Sequence, residues 1–345
     1  MNAWNGDAPG ELPGIREVIR DRWSGGRTGA QEEGMEWIDP HVHILPPRRM
    51  AGLVRWVRKF TPGFPVSEGI TPEEIVSSLR ESGIRLFFNL VFPLWEEETE
   101  DLNRFNRDLC AEIPEAVPFG SLHIKTPDKE GETRRCIEEY GFLGMKLHPY
   151  AQRFPAFGEE MRPMFKVLDE HRRPFLVHTG FDAFYGMYMD LERMEATLRE
   201  YPGMQLVAVH ALFPRFRLAH RLLSEYENFW LDMTNTISCM RIYEDLKAKR
   251  NPLTPVAESL EVEEVDENYL WFRRLFEDFS SRILYGTDFP VGFGYHPALW
   301  EDLRYFGFGE EIERDLLGGA VRNLLERCGF GHLLPPREKS RKESR

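Results

Sequence analysis

From about residue 36 to residue 330, short apolar runs alternate with amphipathic stretches. The runs EWIDPHVHI, RLFFNLVFP, VPFGSLHI, FLGMKLHP, PFLVHTG, MQLVAVHA, NFWLDMT and RILYGTDFP have the length and apolar density of strands. Between them, ITPEEIVSSLRESG, EDLNRFNRDLCAEI, EEMRPMFKVLDEHRR and RFRLAHRLLSEYE place apolar residues three and four apart, which predicts helices with one buried face. Thr71 and Pro72 open the first of these as cap and first-turn residue. After the eighth run, EEIERDLLGGAVRNLLERCG predicts a closing helix. Strands that alternate with helices form a parallel sheet through crossover connections, and eight such units are what a closed barrel needs. The chain is therefore expected to be an α/β protein, a (β/α)8 TIM barrel. An open doubly wound sheet competes, but it commonly uses fewer strands and a glycine-rich phosphate loop that the first run here lacks.

The ends read differently from the middle. Residues 1–34 are rich in Gly, Pro and charge, with one helical candidate, IREVIRDRW, and are expected to be an extension outside the core. Residues 35–334 are expected to form the barrel domain, and residues 335–345, PPREKSRKESR, a polar and disordered tail. One connection is long, from about residue 235 to 270, and leaves the seventh strand on the side where barrels carry their active sites. It is either a lid or a plain surface excursion.

Composition narrows the function classes. With 42% apolar and 29% charged residues, the 345-residue chain can bury a large core. A net charge of −13 argues against nucleic acid or an anionic membrane surface as partner. It does not forbid an anionic substrate, because a metal in a cleft dominates its local field. Cys110, Cys136, Cys239 and Cys328 are scattered and form no CxxC pair, which fits a reducing compartment better than a disulfide framework. No apolar run approaches the roughly 18 residues of a membrane span. The start MNAWNGDAPGELPG lacks the basic and apolar segments of a signal peptide. The expected location is the cytoplasm.

The chemistry lies at the strand ends. His41 and His43, His123, Lys146 and His148, His178, His210 and Asp288 all sit at or near the C-terminal ends of the apolar runs. Side chains alternate along a strand, so His41 and His43 share a face, as do Lys146 and His148. Taken singly, each could be a hydrogen-bonded core or surface residue. Gathered in one barrel mouth, imidazoles and a carboxylate would be costly to bury without a cation. Three imidazoles and one carboxylate suit a borderline-soft divalent ion with a position left for water or substrate. His171 and His220 lie inside helical patterns and read as structural, while His296 and His332 fall in loops.

Over residues 36 to 330 the chain resembles the amidohydrolase superfamily. Within it, the chain is most similar to the amidohydrolase-related branch that includes the aminocarboxymuconate-semialdehyde decarboxylase group. The resemblance rests on IDPHVHILPP, GMKLHPYAQRF, FLVHTG, VAVHALFP, LYGTDFP and GGAVRNLL, above all on HxH in the first strand together with TD in the eighth. It implies that His41, His43, His178 and Asp288 hold a divalent ion, with zinc the first expectation. Asp288 either ligates the ion or takes a proton from its water. His210 matches a residue that is a catalytic acid/base in mononuclear members and a second-metal ligand in binuclear ones. Lys146 resembles the carbamylated lysine that bridges two ions. The surrounding KLHP with Tyr150 and Gln152 looks more like the mononuclear branch, where Lys146 or His148 meets a substrate carboxylate. One ion is therefore favoured over two. The resemblance implies a small-molecule substrate and leaves a homo-oligomer open. It makes hydrolysis of an amide, lactone or ester carbonyl by metal-activated water the leading reaction. Non-oxidative decarboxylation of an unsaturated or aromatic acid is the alternative, and a barrel that binds metal or ligand without turnover the third reading.

Overall fold

The computed structural model describes residues 22–23, 37–61, 63–247 and 262–334. Its eight strands are β1 (Trp37–Val42), β2 (Ile84–Leu90), β3 (Ala116–Gly120), β4 (Gly144–Leu147), β5 (Pro174–His178), β6 (Gln205–Val209), β7 (Phe229–Asp232) and β8 (Ile283–Leu284). They lie side by side in chain order, each parallel to the next. A parallel bridge between Val42 and Phe289 joins the last strand to the first, with His43 N–H donating to Phe289 O at 2.9 Å. The expected TIM barrel is present; six strands fall within their predicted runs, and β2 and β3 each begin one residue earlier, at Ile84 and Ala116.

Hydrophobic burial is divided between two layers. Ile38, Phe88, Phe119, Leu176, Val207, Trp230 and Leu284 fill the barrel interior as one cluster. The last helix, Ala320–Arg327, adds Ala320, Val321, Leu324 and Leu325 to that cluster beside the strand starts, so the interior is plugged at that end. The alternate strand residues, such as Met145, Phe175 and Ala208, pack outward on the helices. Helix Pro72–Glu81 begins as read, with Thr71 and Glu74 capping each other's backbone. Among the described residues no helix is long and apolar enough to cross a membrane.

Two local readings need correction. Helix Pro47–Phe60 went unrecognised because Arg48, Arg49, Arg55 and Arg58 mask its buried stripe of Met50, Val54 and Val57. The long connection is not a loop where it leaves β7: Thr236–Lys247 is a helix, with Ile237, Met240 and Tyr243 buried at a spacing of three. The following helix is Val262–Phe279, and residues 248–261 lie outside the described residues, as does the polar tail.

Of the N-terminal extension, Arg22 and Trp23 are described. They are docked on the barrel. Arg22 pairs with the buried Asp302, donates to Phe293 O at 2.6 Å, and accepts from Tyr295 N–H at 2.9 Å. Trp23 packs edge-on against Phe64 and in parallel on Phe289, the residue after Asp288. Removing one partner of a buried ion pair leaves the other charge uncompensated, at about 3–5 kcal/mol. Ser238 Oγ and, at 3.8 Å, Arg241 still face Asp302, so Arg22→Ala is expected to lower the unfolding free energy by up to that amount in a denaturant titration. A change within about 0.5 kcal/mol, typical of a surface site, would show that the contact is incidental.

Candidate metal centre

The polar residues continue the inward-facing rows of the strands. On β5 Leu176 belongs to the interior cluster, so His178, two residues on, stands above it; on β7 Trp230 and Asp232 are related in the same way. Lys146 lies between Met145 and Leu147, which pack outward. The mouth at the strand ends is thus lined by polar side chains over an apolar floor, as the barrel fold arranges its sites.

Hydrogen bonds define which ring nitrogens are free. His43 Nδ1 is 2.6 Å from Leu90 O, a carbonyl that only accepts, so Nδ1 carries the proton and Nε2 a lone pair. His41 Nδ1 donates to the Asp232 carboxylate at 2.8 Å, which leaves its Nε2 free as well. These two Nε2 atoms are 3.2 Å apart, and Asp288 Oδ1 lies 3.1 Å from His43 Nε2 and 3.5 Å from His41 Nε2. Three acceptors face one another with no donor between them. A tetrahedral ion with bonds of about 2.0–2.1 Å separates its ligands by about 3.3 Å, so the three atoms are spaced as its ligands would be. They form the one group of metal-ligating side chains found among the described residues.

A second chain of bonds runs through His178 and His210. His210 Nδ1 donates to Thr234 O at 2.7 Å, so its Nε2 accepts, and His178 Nδ1 donates to it at 3.1 Å. His178 Nε2 is then a lone pair, buried and without a hydrogen-bond partner. A buried lone pair of this kind is suited to a hydrogen-bond donor or a cation. His178 does not lie within the tight group of His41, His43 and Asp288.

Burial is the largest influence on the charge of His41, Asp288 and Lys146. Burial, with Lys146 nearby, pushes the His41 imidazole well below its usual value and keeps it neutral. Burial raises the Asp288 carboxyl, and positive charge on the facing rings lowers it below the usual carboxylate range; a cation held between neutral rings would act in the same direction. Burial brings Lys146 down to about 8 despite the pull of Asp232 and Asp288, and its Nζ has no hydrogen-bond partner. His148 stacks on His178 with centroids 3.8 Å apart, its Nδ1 accepting from Ala151 N–H at 3.2 Å. Tyr185 stands edge-on to both rings. Apolar and aromatic surface thus flanks the polar mouth.

Strand β8 comes very close to β1 here. A Cβ on Gly286 would lie 2.6 Å from His41 Cβ and 2.7 Å from Thr234 Oγ1, so only glycine fits in YGTD. Asp39 clips the strands together: Oδ1 accepts from His41 N–H at 3.0 Å and Thr287 N–H at 3.1 Å, and Oδ2 from the Thr287 hydroxyl at 2.6 Å. Burial pushes this carboxyl up to about 7 against those bonds. The same side-chain bonds replace ladder bonds, which explains why β8 ends at Leu284 rather than running through GTDFP. Asp288 and His210 both take left-handed backbone, φ +58° and +62°. That conformation is uncommon outside glycine, and residues held in it cluster at functional sites.

The structure therefore brings His41, His43 and Asp288 together, with His210, His178, His148 and Lys146 around them. His123 stays apart, accepting from Lys125 N–H and packing on Phe154. His171 and His220 pair with Glu138 and Asp278 near the surface, as their helical patterns suggested. His296 is not a loop residue but the buried first residue of helix His296–Phe306, against Trp37 and Phe289. Sequence reading missed Asp39, Asp232, Thr234 and Asn235. The signal for the first two was present, since each is a lone carboxylate inside an apolar strand.

The sequence profile of the amidohydrolase family matches residues 38–325. No curated protein matches the chain by sequence. An uncharacterised TIM-barrel protein from Bordetella bronchiseptica is 17% identical with a TM-score of 0.60, over 85% of this chain and 99% of that one. A putative 2-pyrone-4,6-dicarboxylic acid hydrolase from Pseudomonas putida is 15% identical with a TM-score of 0.55, over 86% and 98%. A 5-carboxyvanillate decarboxylase from Novosphingobium aromaticivorans, complexed with manganese and a nitrobenzoic acid, is 14% identical with a TM-score of 0.54, over 87% and 98%. At these identities the likeness is one of fold.

Proposed function

The chain belongs to the amidohydrolase family, and from that premise we propose that it is a metal-dependent hydrolase acting on an amide, lactone or ester carbonyl of a small molecule. The observation that carries this reading is the set of three mutually facing acceptors on His41, His43 and Asp288, spaced as ligands of one ion. His178 Nε2, buried and without a partner, is the fourth ligand in this reading. Imidazole nitrogen outnumbers carboxylate oxygen in the set, which suits zinc. The ion supplies a Lewis acid that brings water towards neutral pKa and polarises a carbonyl oxygen.

The chain's own residues then handle orientation and protons. Asp288 is ionised and close to both histidines, so it can accept the proton of an attacking water. His210, with Nδ1 tied to Thr234 O, has its Nε2 lone pair on His178 Nδ1–H, so it takes up a proton from the substrate or water as that bond opens. The buried Lys146 ammonium is placed to hold an anionic group.

That last feature also supports a second reading. An unpartnered buried lysine beside the centre suits a substrate carboxylate, and one protein of this fold described above is a decarboxylase. In that reading the carboxylate is the leaving group and His210 protonates the remaining carbon. Fold likeness does not choose between the two chemistries. A panel of simple esters, lactones and amides, run on zinc-loaded protein beside a carbon dioxide release assay, does. The proposal expects zinc-dependent hydrolysis. Carbon dioxide release without hydrolysis would replace it with the second reading. Zinc binding with no turnover on any substrate would leave a non-catalytic barrel.

A further inference from the structure

The four residues that follow and include the end of β7, Asp232 to Asn235, contribute no ligand to the group of His41, His43 and Asp288. They nevertheless touch three elements of the centre from three other strands. The Asp232 carboxylate accepts from His41 Nδ1 on β1 at 2.8 Å. The Thr234 carbonyl accepts from His210 Nδ1, beyond β6, at 2.7 Å. The Asn235 side-chain amide donates to Asp288 Oδ2, beyond β8, at 2.7 Å, leaving Oδ1 to the two histidines. Thr234 Oγ1 also accepts from Gly286 N–H at 3.0 Å, which ties the segment to the strand carrying Asp288.

We propose that Asp232, Thr234 and Asn235 are a positioning segment that sets the tautomers of His41 and His210 and the orientation of Asp288. The inference rests on the reading that His41, His43 and Asp288 hold an ion.

The chemistry of Asp232 makes the point specific. Its Oδ1 already accepts twice, from Thr234 N–H at 2.8 Å and from the Thr234 hydroxyl at 2.5 Å, while Oδ2 accepts from His41. Both oxygens must therefore be acceptors, a requirement that only a carboxylate meets. An asparagine of the same shape has one acceptor and one donor. If its oxygen keeps the two Thr234 bonds, its NH2 faces His41 Nδ1, which must then become the acceptor, and the proton moves to Nε2. The lone pair that would bind the ion is lost. If the amide turns round, the Thr234 donors lose their acceptor and the segment is released. At Asn235 a left-handed backbone, φ +63°, aims the side chain at Asp288, and asparagine tolerates that conformation better than most residues.

Ligand-orienting partners of this kind are worth about 10–100-fold in metal affinity. The test uses the full chain, stripped with a chelator and titrated with zinc, in the unmodified, Asp232→Asn and Asn235→Ala forms. Both variants are expected to bind zinc about 10–100-fold more weakly. A second readout needs no metal: nitrogen-15 NMR of the imidazoles at pH 8. The unmodified protein is expected to show His41 and His43 protonated at Nδ1. In Asp232→Asn, His41 is expected to shift to the Nε2–H form while His43, held by Leu90 O, stays unchanged. A general loosening of the fold would move both rings together. Unmodified zinc affinity in both variants, with His41 still protonated at Nδ1, would overturn the proposal. If Asp232→Asn does not fold, Asn235→Ala decides: affinity within about twofold of the unmodified protein, well short of the 10–100-fold loss, overturns it. If even the unmodified protein binds no zinc, the metal reading fails, and the tautomers reported by NMR still confirm or refute the positioning role.

Discussion

His43→Ala is expected to leave the protein without its ion and without measurable metal-dependent turnover. His43 Nε2 is the acceptor nearest Asp288, at 3.1 Å, and the ring is aimed by the bond from Nδ1 to Leu90 O. Alanine removes a ligand outright, so the loss of affinity must exceed the about 10–100-fold that follows from losing an outer partner. In this reading His41 Nε2 and His178 Nε2 are already ligands, so neither replaces His43. Zinc titration after chelation reads the affinity directly, and the rate on any substrate found reads the activity. His171→Ala, at a surface pair with Glu138, serves as control and should change neither. A His43→Ala protein that keeps zinc at unmodified affinity would remove His43 from the ligand set.

The barrel was legible in the sequence because its signal is carried by many residues at once. Eight apolar runs with helical patterns between them leave few alternatives, and small errors at any one boundary do not disturb the count. Readings failed where the period was masked or a tertiary contact intervened. Arginines hid the buried stripe of Pro47–Phe60, and side-chain bonds from Asp39 and Thr234 cut β8 short. The histidines and Asp288 were legible because polar residues at the ends of apolar strands are conspicuous. The orienting residues were less so. Thr234 acts on His210 through its carbonyl, which every residue possesses, and Asn235 lies in an ordinary polar stretch. Their roles come from where the barrel brings β7, and no spacing along the chain encodes that.

His210→Ala is expected to lower turnover by about 10²–10⁴-fold, the contribution of a positioned proton donor or acceptor, while the zinc content stays at one per chain. His210 stacks beside His41 with ring centroids 5.6 Å apart; its Nδ1 is tied to Thr234 O, and its Nε2 accepts from His178 Nδ1. Burial lowers its pKa, with Asp288 and Asp232 opposing, so the ring is neutral and able to receive a proton. Its loss frees His178 Nδ1 but leaves His41, His43 and Asp288 in place. A binuclear centre predicts a different result. There His210 and a carbamylated Lys146 hold a second ion, and the same substitution reduces the stoichiometry from two to one. Elemental analysis of both proteins distinguishes these cases, and a fall in metal content would assign His210 to the ligands.

The central claim is that one ion sits among His41 Nε2, His43 Nε2 and Asp288 Oδ1. It is tested most directly by diffraction from crystals of the zinc-loaded protein, collected on both sides of the zinc absorption edge. The account predicts a single anomalous peak about 2.0–2.2 Å from each of the three atoms, with His178 Nε2 as the fourth ligand. A peak elsewhere, two peaks bridged by Lys146, or no peak among these residues in zinc-saturated crystals would contradict it.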